Sequence, residues 1–186
     1  MALSSYFWNG LQHAVFGGCL ALLFQKISHA PYVKKPEFLV GLIASSSALF
    51  FLPTHIAHPR SPLDWFYQFL HYPLSDWDIL LLSLDWHRFF LTHSLLIPAI
   101  LLIMLLHKPS GYRLGMGVAV GLSSHLIWDA LTCSLRTPVV FITHWLEIRG
   151  YWGKGWLLIN GMLLFWFAWF LHRKTHESST ALHKTT

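Results

Sequence analysis

The chain has 186 residues, 54% hydrophobic and only 11% charged, with a net charge of +5 and a mean hydropathy of +0.48. Soluble domains carry about 25% charged residues, so this composition excludes an ordinary soluble domain, and its apolar content excludes a disordered chain. Its two cysteines, Cys19 and Cys133, lie in apolar runs, and its basic residues form no stripe, which excludes a disulfide scaffold, a cysteine-rich zinc module and a nucleic-acid partner.

Taken in chain order, hydropathy predicts an all-α, polytopic membrane helix bundle with five spanning helices, at about residues 11–24, 38–52, 89–106, 114–131 and 156–171. Residues 1–172 read as a single membrane-embedded domain and 173–186 as a short polar tail. The first stretch does not read as a secretory signal, because no Lys or Arg precedes its apolar run. The second and fifth segments fall short of the usual 17–25 residues unless their flanks extend them. The run 79–84, bounded by Asp78 and Asp85, is too short to cross and reads as an interfacial or re-entrant piece.

Span parity sorts the polar residues. Eight Lys and Arg fall on the side opposite the N-terminus and five on the N-terminal side, so the positive-inside rule puts the N-terminal side outside the cytoplasm. Asp64, Asp76, Asp78, Asp85, Asp129 and Glu147 gather on that same side, leaving only Glu37 and Glu177 on the other. His13, His55, His58, His71, His87, His93, His125 and His144 join them.

Three groups of residues carry chemistry. On the fourth span His125 and Asp129 are four apart and share a helix face, which suits either a metal site or a pair that ties two helices together. At the third span, Thr92, His93 and Ser94 begin the helix and His87 and Arg88 lie just outside it; the two histidines meet only if the chain bends between them, and the plain alternative is a set of headgroup contacts. Asp76 and Asp78 share a face if the segment is extended, and grip a divalent cation or form a solvated acidic turn. His13 reads as a packed histidine or a further ligand. His55 and His58 read as loop residues, His144 and Glu147 as a helical pair, and His172, His176 and His183 as solvated. Gly117 and Gly121 fit close helix packing, and neither a phosphate-binding glycine loop nor a Gly-x-Ser-x-Gly elbow is present.

His87-Arg88 with Thr92-His93-Ser94, followed by Ser124-His125-Leu126 and Asp129, resembles the YdjM-type membrane-bound metal-dependent hydrolases of bacteria. The resemblance covers about residues 74–132 and implies a helical metal site of the zinc-dependent phospholipase C-like kind in an inner-membrane protein. It implies Asp76, Asp78, His87, His93, His125 and Asp129 as ligands, with His13 matching an N-terminal histidine. Departures are one extra residue between the His-Arg and Thr-His pieces, and Leu52-Pro53-Thr54-His55 in place of a Leu-Pro-acidic motif. Ligands without thiolates suit zinc, with manganese or iron as alternatives. Arg88 is then a candidate anion clamp and Asp78 a candidate catalytic carboxylate. The expected substrate is a lipid or other phosphate ester at the membrane surface; the alternative is a non-catalytic membrane protein with a structural or metal-binding His/Asp cluster.

Overall fold

The computed structural model describes residues 2–48, 61–82, 87–134, 140–143 and 145–184, with side chains described from Phe7 to Thr175 within those ranges. It is mainly helical: α1 Ala2–Ser28, α2 Pro36–Ser46, α3 Pro62–His71, α4 Trp77–Leu81, α5 Leu96–Leu105, α6 Pro109–Thr132 and α7 Gly150–Lys184. Against the all-α expectation stands one small antiparallel hairpin, β1 Val140–Thr143 with β2 Leu146–Ile148.

Among the described residues, three helices are long and apolar enough to cross a membrane, over Phe7–Ser28, Pro109–Thr132 and Gly150–Thr175. Their 22, 24 and 26 residues correspond to a rise of about 33–39 Å, which covers a hydrocarbon core of about 30 Å. The other two predicted spans are only half-length helices of 11 and 10 residues. α2 starts at Pro36 and ends at Ser46, with Ala48 just beyond it in the left-handed region at φ 47°. α5 starts late because Pro98 has no N–H to donate and fits only in a first helical turn. Residues 87–95 therefore form turns, and the expected helix start at Thr92–Ser94 is displaced to Leu96. The run expected at 79–84 contributes to the five-residue α4; Ser83, Leu84, Asp85, His55, His58 and His144 lie outside the described residues.

α6 is the central helix, packed against α1, α2, α5 and α7. Its glycines set the closest approach. A Cβ on Gly117 would lie 2.1 Å from the Phe38 carbonyl oxygen, and one on Gly121 would lie 2.2 Å from Ser45 Oγ. From the other side, a Cβ on Gly41 would lie 2.3 Å from the Leu114 carbonyl oxygen. The packing expected of Gly117 and Gly121 is thus a backbone-to-backbone contact between α2 and α6. At one end of the bundle Glu37 pairs with Arg113 at 2.7 Å. There too His172, expected to be solvated, is buried: its Nε2 lies 3.1 Å from the Ser28 carbonyl, and Nδ1 lies 2.9 Å from Tyr32 Oη and 3.2 Å from Tyr112 Oη.

Gly117→Ala should lower unfolding stability in detergent by about 1–3 kcal/mol, the usual range for overpacking. Gly18→Ala, whose Cβ meets nothing within 4 Å, should be neutral or stabilising by up to about 1 kcal/mol. Thermal unfolding followed by circular dichroism checks the pair.

Candidate metal centre

At the opposite end of the bundle the chain collects its acids and imidazoles. α6 presents His125 and Asp129 one turn apart, both buried. His13 of α1 stacks on His125 with ring centroids 4.4 Å apart, and its Nε2 lies 3.5 Å from Asp129 Oδ1. Asp76 and Asp78 enter from the 3₁₀ turn Leu74–Asp76 and from α4, so they do not share an extended face: Asp76 points at His93 and His125, Asp78 at His87 and His93. The required bend between His87 and His93 is present. Arg88 sits at φ 70°, a conformation that costs a non-glycine residue about 1–2 kcal/mol, and it brings the two rings to a centroid distance of 5.4 Å.

The bend is pinned from three directions. Phe90 N–H donates to the Phe141 carbonyl at 2.9 Å and Phe141 N–H donates to the Arg88 carbonyl at 3.1 Å, locking the turn to β1. Asp78 Oδ2 accepts from Phe89 N–H and Thr92 Oγ1, both at 2.8 Å. From α7, Trp156 Nε1 donates to the His93 carbonyl at 3.1 Å and Asn160 Oδ1 accepts from Leu95 N–H at 3.2 Å.

Three overlapping triplets each bring one ligand atom per residue within 4.8 Å of the others: Asp76, His93 and His125; Asp78, His87 and His93; and His13, His125 and Asp129. The first is the best formed. His125 Nδ1 lies 3.0 Å from the Ser46 carbonyl, which only accepts, so Nδ1 carries a proton and Nε2 offers a lone pair. His93 Nδ1 faces Asp78 Oδ2 at 3.3 Å, which assigns its proton in the same way. Both free lone pairs point at Asp76 Oδ1, at 3.5 Å from His93 Nε2 and 3.3 Å from His125 Nε2. These buried nitrogens make no hydrogen bond. Ligand atoms around a tetrahedral ion with bonds of 2.0–2.1 Å stand about 3.3 Å apart, so the donor set fits a metal ion. Because His125 has one nitrogen to offer, it serves the first triplet or the third, not both.

Burial pushes the Asp76 carboxyl up, but the positive charge that the surrounding His125, His87 and His93 imidazoles carry when protonated outweighs it and holds it well below the usual carboxylate range. Asp78 shows the same balance, with burial opposed by hydrogen bonds from His87 and His93. Both are therefore ionised at neutral pH and act as acceptors only. Arg88 is not an isolated cation: Nε lies 3.3 Å from Asp129 Oδ2 and Nη2 donates to Cys133 Sγ at 3.1 Å.

A cavity of about 220 Å³ opens onto the cluster, lined by Asp76, His125, Asp129 and Arg88 together with Asn9 and Tyr72. All seven expected His and Asp residues are thus brought together, with Arg88 beside them. Glu147 is not part of the group: it lies on β2 rather than on a helix and pairs with Arg149. The supporting roles of Ser46, Trp156 and Asn160 were not expected, although an amide in the apolar run before Gly161 is a readable signal of a polar partner.

Asp76→Asn should abolish stoichiometric metal retention, whereas Asp78→Asn, which removes a support for His93, should weaken affinity by about 10–100-fold. Titration of metal-stripped protein in detergent measures both, and equal losses would place Asp78 among the direct ligands.

A family model described as a domain of unknown function, DUF5942, matches residues 11–179, and the chain belongs to this family. No curated protein and no solved structure matches it.

Proposed function

We propose that this DUF5942 member is an integral-membrane, metal-dependent hydrolase of phosphate esters, acting on a lipid or lipid-linked substrate. The observation that carries the reading is the pair of buried imidazole nitrogens, without a hydrogen-bond partner, that face the Asp76 carboxylate beside an open cavity. Two of the three residues, Asp76 and His125, line that cavity, and a site of three protein ligands that solvent can reach is the pattern of catalytic rather than structural zinc. The resemblance to the YdjM-type hydrolases, which rests on the same residues, supports the same class.

Asp76, His93 and His125 hold the ion in this reading, with zinc the best match to a His/carboxylate set. A divalent ion there supplies Lewis acidity, polarising a phosphoryl oxygen and acidifying water. The chain's own residues do the rest. Asp78 and the Ser46 carbonyl fix the tautomers of His93 and His125. Arg88 places positive charge on the cavity wall to meet an anionic phosphate. Asp129, held by Arg88 and His13, is the acceptor placed to take a proton from water in the cavity. His13 and His87 close the two ends of the group. The reading also places the protein in a bacterial inner membrane with this end outside the cytoplasm, supported by the Lys and Arg asymmetry.

Purified protein should carry stoichiometric zinc and release inorganic phosphate from phosphatidic acid in mixed micelles, or p-nitrophenolate from p-nitrophenyl phosphate diesters. Chelation should abolish turnover and zinc restore it, while His125→Ala should lower it more than 100-fold with helicity and elution volume unchanged. Metal retention without turnover on any of these esters would instead support the non-catalytic reading.

Topology is checked separately. With Cys19 and Cys133 replaced by Ser, an impermeant thiol reagent added to intact cells should label Arg149→Cys, at the centre's end, and not Lys108→Cys. The reverse pattern would invert the orientation.

A further inference from the structure

α3 is amphipathic the wrong way round for a helix on a water-facing surface. Its polar stripe, Asp64, Gln68 and His71, is turned inwards, with Gln68 and His71 buried. Its apolar stripe is turned outwards: Leu63 is 74% exposed, Phe66 61% and Leu70 45%. Spacings of three and four residues put each set on one helix face. The helix is nonetheless well built, with a Ser61–Asp64 capping box and Pro62 in the first turn.

Its surroundings say what covers the outward face. α3 leads through Tyr72 and Pro73, which line the cavity, to Asp76. Trp77 ties it down, with Nε1 donating to the Phe69 carbonyl at 3.1 Å. The same end of the bundle carries exposed Trp8 on α1, Trp145 on the hairpin, and Tyr151 and Trp152 at the start of α7. Exposed Trp and Tyr at the end of membrane-length helices mark the bilayer interface, and Trp65 of α3 joins them, 40% exposed. The outward face of α3 is therefore exposed at the same end of the bundle as these aromatic residues. α3 has no Lys or Arg, so apolar area rather than attraction to anionic headgroups holds it there.

We infer that α3 lies in the plane of the membrane interface with Leu63, Phe66 and Leu70 among the acyl chains, setting the mouth of the cavity at headgroup level. The occupant of this face is bilayer lipid. The position of α3 is independent of the hydrolase reading; only its consequence, that substrate enters from the leaflet, rests on it.

Spin labels test this. In the Cys19→Ser, Cys133→Ser background, nitroxides are placed singly at Leu63→Cys and Phe66→Cys, with Leu22→Cys on the lipid face of α1 and Lys108→Cys in the exposed α5–α6 connection as references. Full-length protein is reconstituted in phosphatidylcholine vesicles, and collision rates with oxygen and with a water-soluble nickel chelate are read by power saturation. The oxygen-to-nickel ratio at 63 and 66 should lie near that of 22 and at least threefold above that of 108. Adding anionic phosphatidylglycerol should leave it unchanged. A ratio like that of 108 would put the face in water and overturn the inference. Low collision rates with both reagents would overturn it too, showing that protein rather than lipid covers the face. Zinc content of each labelled sample, measured in parallel, separates a disturbed centre from a wrongly placed helix.

Discussion

An ionised carboxylate clasped between two imidazoles inside an apolar helix bundle dictates the rest of this structure. Asp76 Oδ1 stands 3.5 and 3.3 Å from the Nε2 atoms of His93 and His125, and all three residues are buried. Taking one charge out of water carries an effective penalty of several kcal/mol even after relaxation. Oxygen and nitrogen lone pairs facing one another at that range repel unless a cation, proton or metal, lies between them. The bonds that Ser46 and Asp78 make to the far sides of these rings matter for this reason. With Ser46 and Asp78 holding the Nδ1 protons, the two rings cannot relieve the repulsion by exchanging tautomers, so only an added positive charge satisfies the group.

The half-length helices follow from the same demand. A helix leaves its last four carbonyls without intrahelical partners, and α2 stops where one of them, that of Ser46, meets His125 Nδ1. Had α2 continued to residue 52 as hydropathy suggests, that carbonyl would be spent inside the helix. α6 also ends at the cluster, so two helix C-termini, each with partial negative charge, converge there. Such a field favours a bound cation. The close approach of α2 and α6 is possible only because Gly41, Gly117 and Gly121 have no side chains.

Much of this was legible in the residues, for identifiable reasons. His125 and Asp129 lie on one long apolar helix, where a spacing of four has a single structural meaning, so their partnership could be read directly. Gly117 and Gly121 were readable likewise. The length of the third span was not, because average hydropathy over 89–106 ignores what Pro98 does to a helix interior and what His93 needs from its backbone. The Asp76–Asp78 pair illustrates another limit. Two carboxylates one residue apart suggest a common target in an extended chain, yet at a junction of 3₁₀ turn and helix they diverge to different imidazoles. His172 was misread through its neighbours: Arg173 and Lys174 do point outwards, but the helix turns His172 into the bundle.

That buried histidine supplies a contrast within the same molecule. Around His172, Nε2 donates to the Ser28 carbonyl, Nδ1 accepts from Tyr32, and Tyr112 reaches Thr175 Oγ1 at 3.2 Å. Neutral donors meet neutral acceptors, and the network joins α1, α6 and α7 with no ligand required. Polar clusters that merely fasten helices can be closed in this way. At the other end the bundle buries histidines again, but spends their donors on carbonyl and carboxylate supports and aims the remaining lone pairs at a carboxylate beside a cavity. Fastening helices does not call for that arrangement, since one neutral pair would serve better than several charged ones. The difference between the two ends, rather than the number of histidines at either, is what makes the acidic end able to hold an ion.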